Sequence, residues 1–153
     1  MSISLNDDFR DIIEAFQEED VDFLVVGAYA MAGHGYVRAT GDIDLFIRRD
    51  ARNAGKVLRA LSRFGAPLAT VSESDFLLQG RVFRVGVYPR CIDVLNEIDG
   101  LSFDEASASG QLFSLAGLDV RIPSLDALIK NKRSTGRNKD ARDADELAKR
   151  QTP

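Results

Sequence analysis

The stretch Val25–Arg49, VVGAYAMAGHGYVRATGDIDLFIRR, sets two aspartates, Asp42 and Asp44, one residue apart inside a segment that otherwise reads as a buried strand. On a strand, side chains at i and i+2 share a face, so Asp42 and Asp44 point together while Ile43, Leu45 and Ile47 point to the core. Two carboxylates so close in a partly dry site repel, and one is driven to bind a proton unless a cation sits between them. Magnesium or manganese, hard cations that favour carboxylate oxygens and retain water or phosphate ligands, is the simplest partner. The competing reading is a pair of acids decorating an exposed edge strand.

Outward from that pair, VDFLVVG reads as a strand ending in Gly27, and AYAMAGHG as a short helix stopped by Gly35. A glycine between strand and helix lets backbone N–H groups approach an anion, a phosphate for instance, although it also serves close packing alone. Upstream, Phe9, Ile12, Ile13 and Phe16 recur at helical spacing behind Asn6, Asp7 and Asp8, all suited to capping. Downstream, Asp50 caps a helix expected from Ala51 to Phe64. The middle, DFLLQGRVFRVGVYP, reads as two strands around Gly80, with RCIDVLNEI as a third strand completing a small meander. Asp93 lies in that third run between Ile92 and Val94, so a third carboxylate joins the first two if this strand lies beside theirs; otherwise it is a solvated residue on an open face. QLFSLAGLDVRIPS reads as a hairpin around Ala116 and Gly117, and two helices follow from Ser124, broken near Gly136. The expected architecture is α/β (α+β): a mixed, mainly antiparallel sheet with helices on one face and a helical C-terminal end. A single domain spans 1–153, with the sheet core and metal site in 1–120 and the C-terminal helices in 121–153.

Composition narrows the chemistry. With 153 residues, 44% of them apolar, the chain is the size of one domain with a real core. A net charge of -4 supplies no broad basic field for a long duplex. One cysteine, Cys91, and one histidine, His34, argue against disulfides and zinc. Without a leader-like start or a long apolar run, the expectation is a soluble, cytoplasmic protein with no membrane partner.

Taken together, VVGAYAMAGHGYVRATGDIDLFI followed by CIDVL resembles the nucleotidyltransferase superfamily, the DNA polymerase β-like fold. The likeness is closer to small bacterial and archaeal members, toxin–antitoxin components among them, with a Gly-Gly-x-Ala-x-x-x-His-Gly-x-x-Arg-x-Thr-x-Asp-x-Asp pattern. Gly27, Ala30, His34, Gly35, Arg38, Thr40, Asp42 and Asp44 fill it here. LIKNKRSTGRNKDARDADEL resembles the same group's C-terminal segment, which carries over Lys132, Arg137 and Asp140 by position. The resemblance implies a Mg2+ (or Mn2+) site at Asp42, Asp44 and Asp93, with Lys132 joining these three as a catalytic residue. It also implies nucleotide binding by Gly27, Ala28, Arg38, Thr40 and Arg137. Ala28 departs from the pattern, where a second Gly or a Ser is usual: it keeps the backbone N–H but offers no hydroxyl. His34, just before Gly35, suits a helix C-terminal cap better than a base.

The leading expectation is a metal-dependent enzyme that moves NMP from an NTP to an acceptor hydroxyl on an RNA 3′ end, a protein or a small molecule, and that acts with a cognate toxin or antitoxin. The alternative is a non-catalytic, antitoxin-like module of the same fold that binds nucleotide or a partner. A metal-dependent phosphatase or nuclease built on an acidic triad is the more general third case, and the glycine-helix element ahead of Asp-x-Asp favours the transferase.

Overall fold

The computed structural model describes residues 3–151. Helix α1, Asp7–Glu18, starts where the Phe9 N–H donates to the Asn6 side chain at 2.8 Å, and it buries Phe9, Ile12, Ile13 and Phe16 on one face. Strand β1, Phe23–Val26, runs directly into α2, Gly27–Gly33, and β2 is Ile43–Ile47. Helix α3, Ala51–Phe64, is capped by Asp50, whose carboxylate accepts from Asn53 N at 2.7 Å, and it closes on Gly65 at φ 96°. The buried Asn53 accepts from Asp22 N and donates to the carbonyls of Asp22 and Arg48. It therefore pins α3 to the shared end of β1 and β2.

Strands β3, Val82–Val85, and β4, Ile92–Leu95, complete a four-stranded sheet of order β1-β2-β4-β3 in which only β2 and β4 are parallel. The expected meander is not formed. Glu73–Phe76 is a 3-10 turn, and β3 is the only strand between it and β4. The reason lies in where the backbone groups find partners. The Asn96 side chain accepts from Gly80 N and donates to the carbonyls of Phe76 and Leu78, so this segment is satisfied by one buried amide instead of a ladder. Helix α3 serves as the crossover that a parallel β2–β4 pairing requires.

Alternation along the strands divides the sheet into two faces. Val25, Ile43, Leu45, Ile47, Ile92 and Val94 join one continuous apolar cluster that runs from Phe9 of α1 to Leu147 near the C-terminus. The opposite face is apolar at one end only, where Leu24, Val26 and Phe46 meet Phe103 and Ala106 of the short helix α4, Phe103–Ala108. A capping box between Ser102 and Glu105 forms that unanticipated helix. Strands β5, Gln111–Leu115, and β6, Leu118–Ile122, make the expected hairpin, and Ala116 (φ 51°) and Gly117 (φ 85°) supply the two positive φ angles of its tight turn. Helix α5, Leu125–Ser134, is capped by Ser124, and α6, Asn138–Ala148, follows the break at Gly136. Among the described residues, no helix is long and apolar enough to cross a membrane.

Candidate active site

The uncovered end of the second sheet face carries the acids. Parallel pairing places Asp44 of β2 directly beside Asp93 of β4, and the row continues to Val26 of β1 on one side and Arg84 of β3 on the other. Side chains at facing register positions share a face, so Asp44, Asp93 and Arg84 project together. Asp42 lies one residue ahead of β2, and its Oδ1 accepts from the Cys91 N–H at 3.1 Å, which ties the start of β2 to the start of β4. Thr40 fixes the same rim by accepting from Asp42 N at 3.2 Å, and Gly41 is demanded by the Pro89 carbonyl, with which any Cβ would collide.

Burial, then the negative charges of Asp93 and Asp42, push the Asp44 carboxyl up to about 6, while Lys132 and Arg84 pull in the other direction. This is the proton-holding behaviour expected of crowded carboxylates with no cation between them.

Gly27 is held at φ 70°, and a Cβ there would run into the Asp44 carboxylate. Glycine thus lets the start of α2 close over an acid, which no other residue allows. Gly27→Ala is expected to displace Asp44 and lower stability by about 1–3 kcal/mol; a denaturant melt beside the natural chain checks it.

Asp93 is 7% exposed, and both its oxygens are engaged by Arg84: Nε donates to Oδ1 at 2.7 Å and Nη2 to Oδ2 at 3.0 Å. These hydrogen bonds, with the charge of Asp93, raise the Arg84 pKa. Sequence reasoning missed Arg84. Its only signal is a cation inside the alternating run RVFRV, and the partner across the ladder follows from a register that the run does not encode.

The C-terminal helices bring a second charged group. Lys132 of α5, its side chain 11% exposed, lies 3.3 Å from Asp140 Oδ1 and 4.0 Å from Asp143 Oδ2, both carboxylates of α6. Arg38 Nη2 reaches Asp143 Oδ2 at 3.2 Å, and the Tyr36 hydroxyl donates to Asp143 Oδ1 at 3.1 Å. Arg137 Nε and the Thr135 hydroxyl both donate to Asp140 Oδ2, at 2.6 and 2.8 Å. Burial opposes ionisation of Asp140, yet these hydrogen bonds and the Lys132 charge hold its carboxyl below the usual range. The Lys132 charge also acts on Asp44, whose proton affinity it lowers. Arg38 and Arg137, expected at the nucleotide, have their guanidinium groups against α6 carboxylates. Asp143 and Tyr36 went unnoticed in the sequence because the hydrogen bonds that join Asp143 to Tyr36 and Arg38 span more than a hundred residues. His34 Nε2 is 2.8 Å from the Pro123 carbonyl, in agreement with a structural role at the end of α2. Ala28 is half-buried in the first turn of α2, against the core.

Among the described residues, no three Asp, Glu, His or Cys side chains already converge as a metal-binding group. Asp93 is turned to Arg84, and Asp42 to Cys91 N–H. The donor chemistry nevertheless fits a hard divalent cation: the groups are carboxylates alone, and the raised proton affinity of Asp44 is the repulsion that such a cation relieves.

No family model and no curated protein matches the sequence. Solved structures do resemble it. A candidate nucleotidyltransferase from Thermotoga maritima aligns over 94% of this chain and 91% of its own, with TM-score 0.62 and 16% identity. The antibiotic-resistance factor ANT(2″)-Ia aligns over 93% of this chain and 81% of its own, with TM-score 0.59 and 19% identity. The lincosamide antibiotic adenylyltransferase LnuA, lincomycin-bound, aligns over 96% and 98%, with TM-score 0.58 and 14% identity. The chain has a nucleotidyltransferase-like fold.

Proposed function

We propose that the chain is a metal-dependent nucleotidyltransferase that moves NMP from an NTP to an acceptor hydroxyl. The observation that carries this reading is the adjacency of Asp44 and Asp93 on one sheet face, with Gly27 closing α2 over Asp44. Asp42, Asp44 and, once released from Arg84, Asp93 would hold magnesium or manganese, which neutralises charge on the phosphoryl oxygens when bound. The chain's own groups do the rest. The N–H groups of Gly27 and Ala28, at the start of α2, bind phosphate. Lys132 offsets triphosphate charge from the α5 side. Asp93 takes the acceptor's proton as the acceptor oxygen bonds to the α-phosphorus, and the bond from that phosphorus to the pyrophosphate oxygen breaks.

The neighbours that adenylylate antibiotics make a small-molecule acceptor one candidate, beside a nucleic-acid end and a protein hydroxyl; a cognate toxin or antitoxin and a cytoplasmic setting belong to the same proposal. The test mixes purified protein with α-labelled NTPs, Mg2+ or Mn2+, total RNA, cell lysate and an aminoglycoside. Label is expected on one acceptor class with the natural chain and on none with Asp44→Ala. The non-catalytic binding module draws support from the Arg84 clamp on Asp93 and from Ala28; nucleotide binding without any label transfer would establish it instead.

A further inference from the structure

Asp93 has two neighbours in the sheet, Asp44 on the side of the proposed metal and β3 on the side open to an acceptor. The composition of that open side is unusual for an acidic chain. Gly80–Arg90 reads GRVFRVGVYPR, with three arginines and no acid, in a protein of net charge -4. Arg84 and Arg90 are exposed, Arg84 keeping 57% of its side chain in solvent while it grips Asp93, whereas Arg81, also exposed, lines a cleft with Ile47, Phe83 and Val94 on the other face of the sheet. Strand β3 ends one register position beyond the Arg84–Asp93 pair, at Val85 opposite Ile92, and in the loop that follows Val87 and Tyr88 are each 82% exposed. They are the most exposed large apolar side chains among the described residues. The loop is anchored, since Arg90 N donates to the Val87 carbonyl at 3.1 Å and Cys91 N to Asp42. Beside it opens a cleft of about 430 Å³ lined by Tyr29, Thr40, Pro89 and Arg90 among others.

We propose that this β3 edge is the acceptor side of the site and that it takes the 3′ end of a single-stranded nucleic acid. The inference rests on the transferase reading and names its substrate class. Cations spaced along an edge track a phosphate backbone, and an exposed aromatic ring stacks on an unpaired base, the combination by which single strands are held. A duplex would find neither a broad basic field nor an unstacked base on this edge. The terminal 3′ oxygen then faces Asp93, forms the new bond to the α-phosphorus and gives its proton to that carboxylate, while pyrophosphate departs.

The test is a fluorescence-anisotropy titration of the full chain with a short 5′-labelled RNA, about 10 nucleotides long, without NTP or metal, beside a DNA arm and the label-transfer assay. Binding is expected for the natural chain, weakened about ten- to a hundredfold by Tyr88→Ala. Arg90→Glu is expected to weaken binding as well and to reduce the slope of log K against log salt by about one. Both residues lie on an exposed loop, and thermal melts confirm that the variants fold. Label transfer to protein or to a small molecule, without oligonucleotide binding, overturns this inference and leaves the transferase standing. Oligonucleotide binding that depends on Tyr88 and Arg90, with no label transfer to any acceptor, supports the surface and overturns the transferase. Binding indifferent to both substitutions overturns the assignment of the edge.

Discussion

Asp44→Asn is expected to transfer no measurable NMP and, at the same time, to be more stable than the natural chain. Both effects come from one carboxylate. Its pKa is pushed up to about 6 in the folded state, from 3.8 unperturbed, by burial and by Asp93 and Asp42. A carboxylate with a raised folded-state pKa binds more protons folded than unfolded between those values. Stability therefore falls as pH climbs from about 4 to about 6, and the loss is complete above that window. The shift corresponds to about 2–3 kcal/mol withheld at neutral pH. Asparagine removes the charge and keeps the shape, so it should recover about 1–3 kcal/mol, a rise in Tm of roughly 2–10 °C for a chain of this length. Added Mg2+ should raise the Tm of the natural chain at neutral pH and leave that of Asp44→Asn nearly unmoved. Calorimetry from acid to neutral pH, with and without Mg2+, measures all of this. An asparagine variant that melts lower, or still transfers NMP, contradicts the assignment.

Lys132→Ala should fail in the opposite sense, losing transfer and stability together. Its ammonium group sits between two carboxylates whose side chains are each only 4% exposed, and it lowers the proton affinity of Asp44. Removing one partner from buried ion pairs is costly because the remaining charges stay buried; a loss of about 3 kcal/mol is expected, with Arg38 and Arg137 still in place. Transfer should fall by about 10²–10³ if Lys132 also offsets phosphate charge in the transition state. The pairing with Asp140 separates the two roles. In a double-mutant cycle, Asp140→Asn added to Lys132→Ala should recover part of the stability and none of the transfer. Recovery of both would reduce Lys132 to a structural cation.

Much of this was legible before any coordinates. The amphipathic face of Phe9, Ile12, Ile13 and Phe16, the caps at Asn6 and Asp50, the helix start at Ser124, and the turn at Ala116–Gly117 are local patterns, and each formed where its spacing indicated. The segment around Gly80 was misread as two strands because its apolar residues alternate. What prevents a second strand is Asn96, sixteen residues further on, which takes up the backbone groups a ladder would have used. The short helix α4 escaped notice because one turn and a half leaves too little periodicity to detect.

The site shows the same division. That Asp42 and Asp44 lie together near a glycine follows from a period of two and from the freedom of a residue without Cβ, properties the chain carries wherever it folds. That Asp93 stands beside Asp44, that Arg84 clamps it, and that Lys132 bridges to Asp140 and Asp143 depend on strand order, register and the docking of α5 on α6. Those are agreements between residues tens of positions apart, settled by which apolar faces can be buried together. Local patterning therefore chose the acids, and long-range burial chose their companions.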